Sequence, residues 1–270
     1  MFVNKSSPPQ RIISLVPSIT ELLYDLNLST KIVGITKFCV HPPEWFQTKE
    51  KIGGTKNVHI EKIKALQPDL IIASKEENVK EQVEMLATLF PVYLTDVCTY
   101  DDAIQMILNI GEITLKKTEA ITLSNNIQAE FITLLKPTQS INTTYLIWKD
   151  PYMTVGGDTF IHDMMQKIGL QNMFSEQHRY PQITLEELAI LNPQLILLSS
   201  EPYPFKEKHI HEIQALLPTA KVMLVDGEMF SWYGSRMKYM PAYFNKLLAA
   251  ITVYNSLLPK VLNECTFIHL

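Results

Sequence analysis

No stretch of this sequence approaches the ~18 consecutive apolar residues of a membrane-spanning helix. Basic charge is also short. Lys and Arg number 24 against 28 Asp and Glu, a net charge of −4, so a nucleic-acid partner is not expected. Cysteine is scarce and odd in number. Cys39, Cys98 and Cys265 lie far apart, form no CxxC and follow no zinc-ligand spacing, which argues against a disulfide framework. There is no P-loop, G-x-G-x-x-G, G-x-S-x-G or H-E-x-x-H motif. The glycine pairs at 53–54 and 156–157 are too short for a phosphate cradle and read as turns beside strands. The first ten residues, MFVNKSSPPQ, hold one lysine and no apolar core, so no secretory leader is expected in the sequence as it stands. Either the protein is cytosolic or a leader is missing.

What is present is an internal repeat. The segment IEKIKALQPDLIIAS (60–74) matches LEELAILNPQLILLS (185–199) at an offset of 125, with Leu66 on Leu191, Pro68 on Pro193, Leu70 on Leu195 and Ser74 on Ser199. Each copy reads as a short amphipathic helix that ends before the proline, because a residue before proline avoids the right-handed helical region. An apolar, β-branched run follows, as in a parallel strand buried on both faces. Each copy continues as serine, acidic loop, helix, proline, apolar strand and aspartate, which sets Glu76 against Glu201 and Asp96 against Asp226. Each half also opens with a strand and a helix. RIISLV is the first strand, Pro17 breaks it, and Ser18 with Glu21 reads as an S-x-x-E capping box for the helix that follows. TTYLIW and TFIHDMMQKIGL are the counterparts in the second half. Residues 114–137 hold no Gly, and Pro only at their end, with mostly helical apolar spacing. The pattern predicts an α/β protein: two Rossmann-like lobes with parallel sheets, residues 1–113 and 138–270, joined by one long helix over 114–137. A ligand cleft is expected between the lobes.

Ligands of open parallel sheets bind at the carboxyl ends of the strands. Those loops carry KFCVHPPEW, KEEN, KDPYMTVGGD, SEPYPF and GEMFSWYGSRM. Rings interspersed with a few polar groups suit a large, flat or partly apolar small molecule. The candidate ligand-binding residues are Lys37, His41, Glu76, Trp148, Tyr152, Glu201, Tyr203, Phe205, Phe230, Trp232, Tyr233 and Arg236. Trp232 is expected to present a face to the ligand, with Tyr233 or Phe230 packed behind it and Arg236 meeting a polar or anionic group. Cys39 and His41, two apart, could share one side of an extended segment and hold a metal. They lack a third ligand in sequence, so no metal site is assigned. His209 and His211 are expected on a solvated helix face. His59, His162, His178 and His269 have no sequence partners. Asp96, Asp158 and Asp226 come with no nucleophile motif, so an enzyme is not expected.

RIISLVPSITELLYDLNLSTKIVGIT, IEKIKALQPDLIIAS, GGDTFIHDMMQKIGLQNMF and YPQITLEELAILNPQLILLSS resemble the substrate-binding proteins of vitamin B12 and iron–siderophore ABC importers, the helical-backbone metal receptors. The likeness runs from Arg11 to about Leu248 and is strongest toward the cobalamin-binding branch. It implies two Rossmann-like lobes, a long connecting helix and small closure motions. The implied ligand is cobalamin-like or an iron chelate, siderophore or haem. The protein itself would hold no cofactor. The implied partners are an ABC permease and its ATPase, with a monomeric binding protein outside the cytoplasm. Trp232 and Arg236 resemble the aromatic and the arginine of that branch's last loop. Ser74 stands where the branch has a tryptophan, and His41 where it has a tyrosine. A glutamate at each lobe tip normally meets the permease; Glu81, beside Lys80, and Glu207 or Glu212 are the counterparts. A cytosolic enzyme or sensor on the same fold is the alternative.

Overall fold

A computed structural model describes residues 8–257 of the chain, with side chains as far as Thr252. The opening MFVNKSS, Cys265 and His269 lie outside the described residues. Among those residues, no helix is long and apolar enough to cross a membrane.

The first lobe alternates strand and helix. Its elements are β1 (Ile12–Ser14), α1 (Pro17–Asp25), β2 (Ile32–Ile35), α2 (Pro43–Thr48), β3 (Glu50–Lys51), α3 (Ile60–Leu66), β4 (Leu70–Ser74), α4 (Lys80–Leu89), β5 (Val92–Thr95) and α5 (Tyr100–Ile113). The five strands form one parallel sheet in the order β3-β2-β1-β4-β5. β1 and β4 are buried at every position, as strands covered by helices on both faces must be. Ile13, Leu15, Ile52, Ile63, Ile71, Ala73 and Leu86 make one core cluster.

The expected capping box on α1 does not form. Pro17, with its preset φ, occupies the first helical position, and extended Val16 is the cap with no side-chain hydrogen bond. Ser18 is therefore already inside the first turn, and the Glu21 carboxylate is directed elsewhere. A true capping box stands at α5, where Thr99 and Asp102 exchange side-chain and backbone bonds.

Leu115, at φ 56°, turns the chain out of α5 into α6 (Lys117–Ile132). This helix lies within the span expected for the connector. It ends before Pro137, and its first turn passes so near α5 that a Cβ on Gly111 would sit 2.3 Å from that of Ala120.

The second lobe comprises β6 (Ile141–Leu146), β7 (Tyr152–Met153), α7 (Phe160–Lys167), β8 (Leu170–Asn172), β9 (Gln182–Ile183), α8 (Leu185–Leu191), β10 (Leu195–Ser199), α9 (Glu207–Leu216), β11 (Lys221–Val225), α10 (Glu228–Ser231) and α11 (Met240–Leu257), with a 3-10 turn at Ser235–Tyr239 before α11. Its parallel sheet runs β11-β10-β6-β8, beside a small antiparallel β7-β9 pair. Leu146, Ile196, Leu198, Phe205, Ile210 and Ile213 belong to its core.

The two sheets share one plan. β2-β1-β4-β5 and β8-β6-β10-β11 follow the same order. The repeat positions α3 with α8 and β4 with β10 have identical lengths at the offset of 125. Both helices stop at a left-handed residue just before the proline, Gln67 (φ 45°) and Asn192 (φ 48°). The sequence rule that the residue before proline leaves the helical region is met through the left-handed conformation, not the extended one. In each sheet the two central strands lead to opposite edges. The crevices over the carboxyl ends of β1/β4 and β6/β10 are therefore topological switch points, where ligands of such sheets bind.

By contacts, the chain divides at unexpected places. One lobe holds the residues up to Ala129 together with Trp232–Lys238; the other holds Glu130–Ser231 and the residues from Tyr239 on. The connecting helix is thus shared at its C-terminal end, and a short stretch after α10 belongs to the first lobe.

Candidate ligand-binding site

In the first lobe, that inserted stretch lies against α1. Trp232 is 7% exposed. The His41 ring meets it edge-on, centroids 5.6 Å apart at 76°. The Arg236 guanidinium lies 4.8 Å from its ring centroid, within cation–π range. That guanidinium is fixed by a fork: Nε donates to Glu21 Oε2 at 2.9 Å and Nη2 to Oε1 at 3.0 Å. One helical turn on, Asp25 accepts from Lys238 Nζ at 2.7 Å. Gly234 makes the bend, at φ 106°, a conformation that other residues rarely adopt. Tyr233 donates its hydroxyl to Ser74 Oγ at 3.0 Å, and burial pushes its phenol pKa well up, so it stays a donor.

Ser74 and Ser199 occupy equivalent places at the ends of β4 and β10. Ser74 Oγ accepts the Glu76 N–H at 3.1 Å, and Ser199 Oγ accepts the Glu201 N–H at 3.4 Å. Each also receives a tyrosine hydroxyl, Ser74 from Tyr233 and Ser199 from Tyr145 at 3.1 Å. Glu76 and Glu201 therefore leave matching turns, as their repeat positions suggest. The Glu201 carboxylate accepts from Ser231 Oγ at 2.8 Å.

The loop after β2 places Lys37 on the surface, its ammonium 5.0 Å from the Phe38 ring centroid. Phe38 is 50% exposed and was not singled out from sequence, although it stands in the quoted KFCVHPPEW loop. Cys39 turns inward. Thr20 Oγ1 donates to its sulfur at 3.0 Å, Thr36 Oγ1 lies 3.1 Å away, and burial pushes the thiol pKa up. Cys39 thus packs in the core, while the His41 ring packs against Trp232. Among the described residues, no group of three or more His, Cys, Asp and Glu could hold a metal ion.

In the second lobe, Trp148 follows β6 and remains 40% exposed. Tyr203 meets it edge-on at 5.8 Å and continues the contact to Phe205 at 4.8 Å and His209 at 5.6 Å. Tyr152 is half-buried in the β7-β9 pair.

Three expectations need correction here. Phe230 is fully buried between Tyr145 and Phe244, at 5.0 and 4.9 Å, and Phe205 is buried in the second-lobe core. Both are core rings; a ring in a strand-end loop can pack into the core edge instead of facing a ligand. His209 is buried rather than solvated, since positions two apart on a helix point to different sides and His211 takes the outward one. Its Nδ1 accepts the Lys206 N–H at 2.9 Å, which caps α9. Arg236, expected at a ligand anion, has its fork on Glu21. Asp96 pairs with Lys75, Asp158 accepts the Arg179 N–H at 2.6 Å, and Asp226 accepts the Glu228 N–H at 3.0 Å. These are structural bonds.

The family model described as periplasmic binding protein matches residues 12–220. The chain belongs to the periplasmic binding protein family. A vitamin B12-binding protein of Pectobacterium carotovorum is 26% identical over 237 residues, covering 85% of this chain and 84% of that one. The uncharacterized ABC transporter substrate-binding lipoprotein YvrC of Bacillus subtilis is 29% identical over 207 residues, 72% of this chain and 65% of its own. The crystal structure of the periplasmic vitamin B12-binding protein BtuF of Vibrio cholerae has the same fold, with a TM-score of 0.77 at 22% identity over 91% of this chain and 98% of that one.

Two acidic residues face outward at corresponding places in the two lobes. Glu81 and Glu207 are exposed in the first turns of α4 and α9, which are equivalent helices of the two lobes. Glu212 is one turn further along α9 and is ion-paired with Lys149.

Proposed function

We propose that this protein is the substrate-binding component of an ABC importer and takes a cobalamin-like or iron-chelate ligand. The observation that carries the reading is the likeness to a vitamin B12-binding protein across most of both chains. Aromatic strand-end loops support it: those after β6 and β10 at the second lobe's switch point, and the loop after β2 in the first lobe. Trp148 and Phe38 offer exposed rings for a flat ligand, and Trp232 is packed edge-on against His41 of the loop after β2. The protein works without catalysis and without a cofactor of its own, since any cobalt or iron belongs to the cargo. It acts outside the cytoplasm, as a monomer, with a permease and ATPase as partners. Glu81 and Glu207 are the permease contacts; Glu212 contributes less because Lys149 already neutralises it.

A thermal-shift series with cyanocobalamin, cobinamide, haemin and ferric siderophores tests the ligand class. A molecule that binds only the folded state raises the melting midpoint by mass action. One of the four should do so in the micromolar range or below. If none does, the ligand class is wrong.

A further inference from the structure

We infer that Glu21 is a positioning residue for Trp232, and that Arg236 serves as the indole's support instead of an anion clamp. The inference rests on the proposed ligand-binding role of the Trp232 region. Arg236 is the natural candidate to meet a negatively charged ligand group. In the structure its fork is closed on Glu21 by two well-formed bonds, which use the bidentate geometry that would otherwise grip a carboxylate or phosphate. Both side chains are largely buried, at 11% and 15% exposure. The guanidinium fixed in this way also lies over Trp232, its Cζ 4.8 Å from the ring centroid. His41 closes on the same indole edge-on. The order of dependence is therefore Glu21, Arg236, Trp232, His41. Removing the carboxylate releases the guanidinium, and the indole loses the plane that sets its tilt.

The neighbouring pair supplies a control. Asp25 and Lys238 tie the same stretch to the same helix, one turn away, and are somewhat more exposed, at 29% and 25% for Lys238 and Asp25. An anchoring role alone would give the two pairs the same kind of effect, a loss of stability that differs only in size. A positioning role makes them different, because Arg236 carries a cation–π contact to Trp232.

The test uses the full chain and the variants Glu21→Gln and Asp25→Asn. The sequence contains three tryptophans, so the indole N–H region of an amide-correlation spectrum has three signals, and Trp232→Phe assigns one of them. Glu21→Gln should move the Trp232 signal and leave those of Trp45 and Trp148 in place. It should weaken binding of whichever of cyanocobalamin and haemin the wild type binds by about tenfold, the scale on which a displaced hot-spot residue acts. Asp25→Asn should lower the melting midpoint without either effect. If Glu21→Gln does not fold, Arg236→Lys replaces it, keeping the charge while losing the fork and the flat face, with the same result expected. An unmoved Trp232 signal, or equal effects from the two carboxylate variants, overturns the inference. Should neither probe bind the wild type, the affinity arm passes to whichever of cobinamide and the ferric siderophores does bind; if none of them binds, the ligand class fails and the resonance arm still decides the positioning role by itself.

Discussion

Glu21 and Arg236 stand 215 residues apart in sequence and share two hydrogen bonds of 2.9 and 3.0 Å. A carboxylate left without its cation in so dry a place is costly. Glu21 and Arg236 keep some solvent, so the expected loss for Arg236→Ala is roughly 2 kcal/mol, below the figure for a fully buried pair. Lys238→Ala should cost roughly 1 kcal/mol, since that pair is more exposed and better screened. Urea denaturation of the two variants checks the order. A larger loss for Lys238→Ala would contradict it.

Two rings from the strand-end loops should behave in opposite ways. Trp148 is 40% exposed and Phe230 is 0% exposed. Trp148→Ala is expected to leave the melting midpoint nearly unchanged and to reduce ligand affinity by about 2 kcal/mol. Phe230→Ala should destabilise by about 3–5 kcal/mol through the cavity it leaves. Trp232→Ala should lose both, because that ring is packed as well as placed. Midpoint and binding constant measured on each variant decide between ligand contact and packing.

The second lobe should be acid-sensitive. Burial lowers the pKa of His209 and of His162, and each offers its Nδ1 to a neighbour, His209 to the Lys206 N–H and His162 to the Asn172 amide. Both are therefore neutral when folded. The groups around His209 include Lys149, Lys206 and Lys208, against Glu212. An unfolded histidine titrates near 6.5, above the folded values, so the unfolded chain binds more protons below that pH. The stabilisation is complete above about pH 6.5 and is lost as pH falls toward the folded pKa values. Urea midpoints at pH 7.5 and 5.5 should show the lower value at 5.5. His209→Gln should flatten the difference; an unchanged pH dependence in that variant would remove His209 from the explanation.

The left-handed helix ends give a stabilising substitution. Gln67→Gly should raise stability by about 0.5–1 kcal/mol, because glycine adopts φ 45° without a Cβ penalty. Asn192→Gly should gain less, since asparagine tolerates that region and Asn192 Oδ1 accepts from Thr219 Oγ1 at 3.1 Å. Thermal melts of both variants test this, and equal gains would argue against a role for the Thr219 bond.

Cys39 should resist alkylation. Its thiol lies between two threonine hydroxyls, and burial keeps it protonated. Iodoacetamide at pH 8 followed by peptide mass spectrometry should find Cys39 unmodified until denaturant is added. Ready labelling in the folded protein would show that the β2 loop opens.

The repeat made the sheets readable, because local residues carry the signal. Pro68 with Pro193 and Ser74 with Ser199 mark a helix stop and a strand end within fifteen positions of each other, and the structure places them on matching turns. The apolar runs of β4 and β10 needed no distant information to be read as buried strands. The candidate site was legible only in part. Trp148, Tyr203 and Trp232 could be found as rings in strand-end loops, but nothing nearby separates them from Phe205 and Phe230, whose neighbours come from distant elements. Glu21 was misread for the same reason. Its position three after Ser18 fits a local cap, and the competing partner is far down the chain. Local rules assign a carboxylate to the nearest need, whereas tertiary packing assigned this one to Arg236.

The placement of Trp232–Lys238 has a consequence for dissection of the protein. A fragment ending at Ala129 would contain the whole first-lobe sheet, yet Glu21 and Asp25 would lose their cations and Ser74 its phenol donor. The complementary fragment would carry those side chains with nowhere to dock. Although the halves arise from one repeated pattern, they are not interchangeable modules. A chimaera that swaps one half between relatives must carry this peptide with the half it contacts, against the order of the gene.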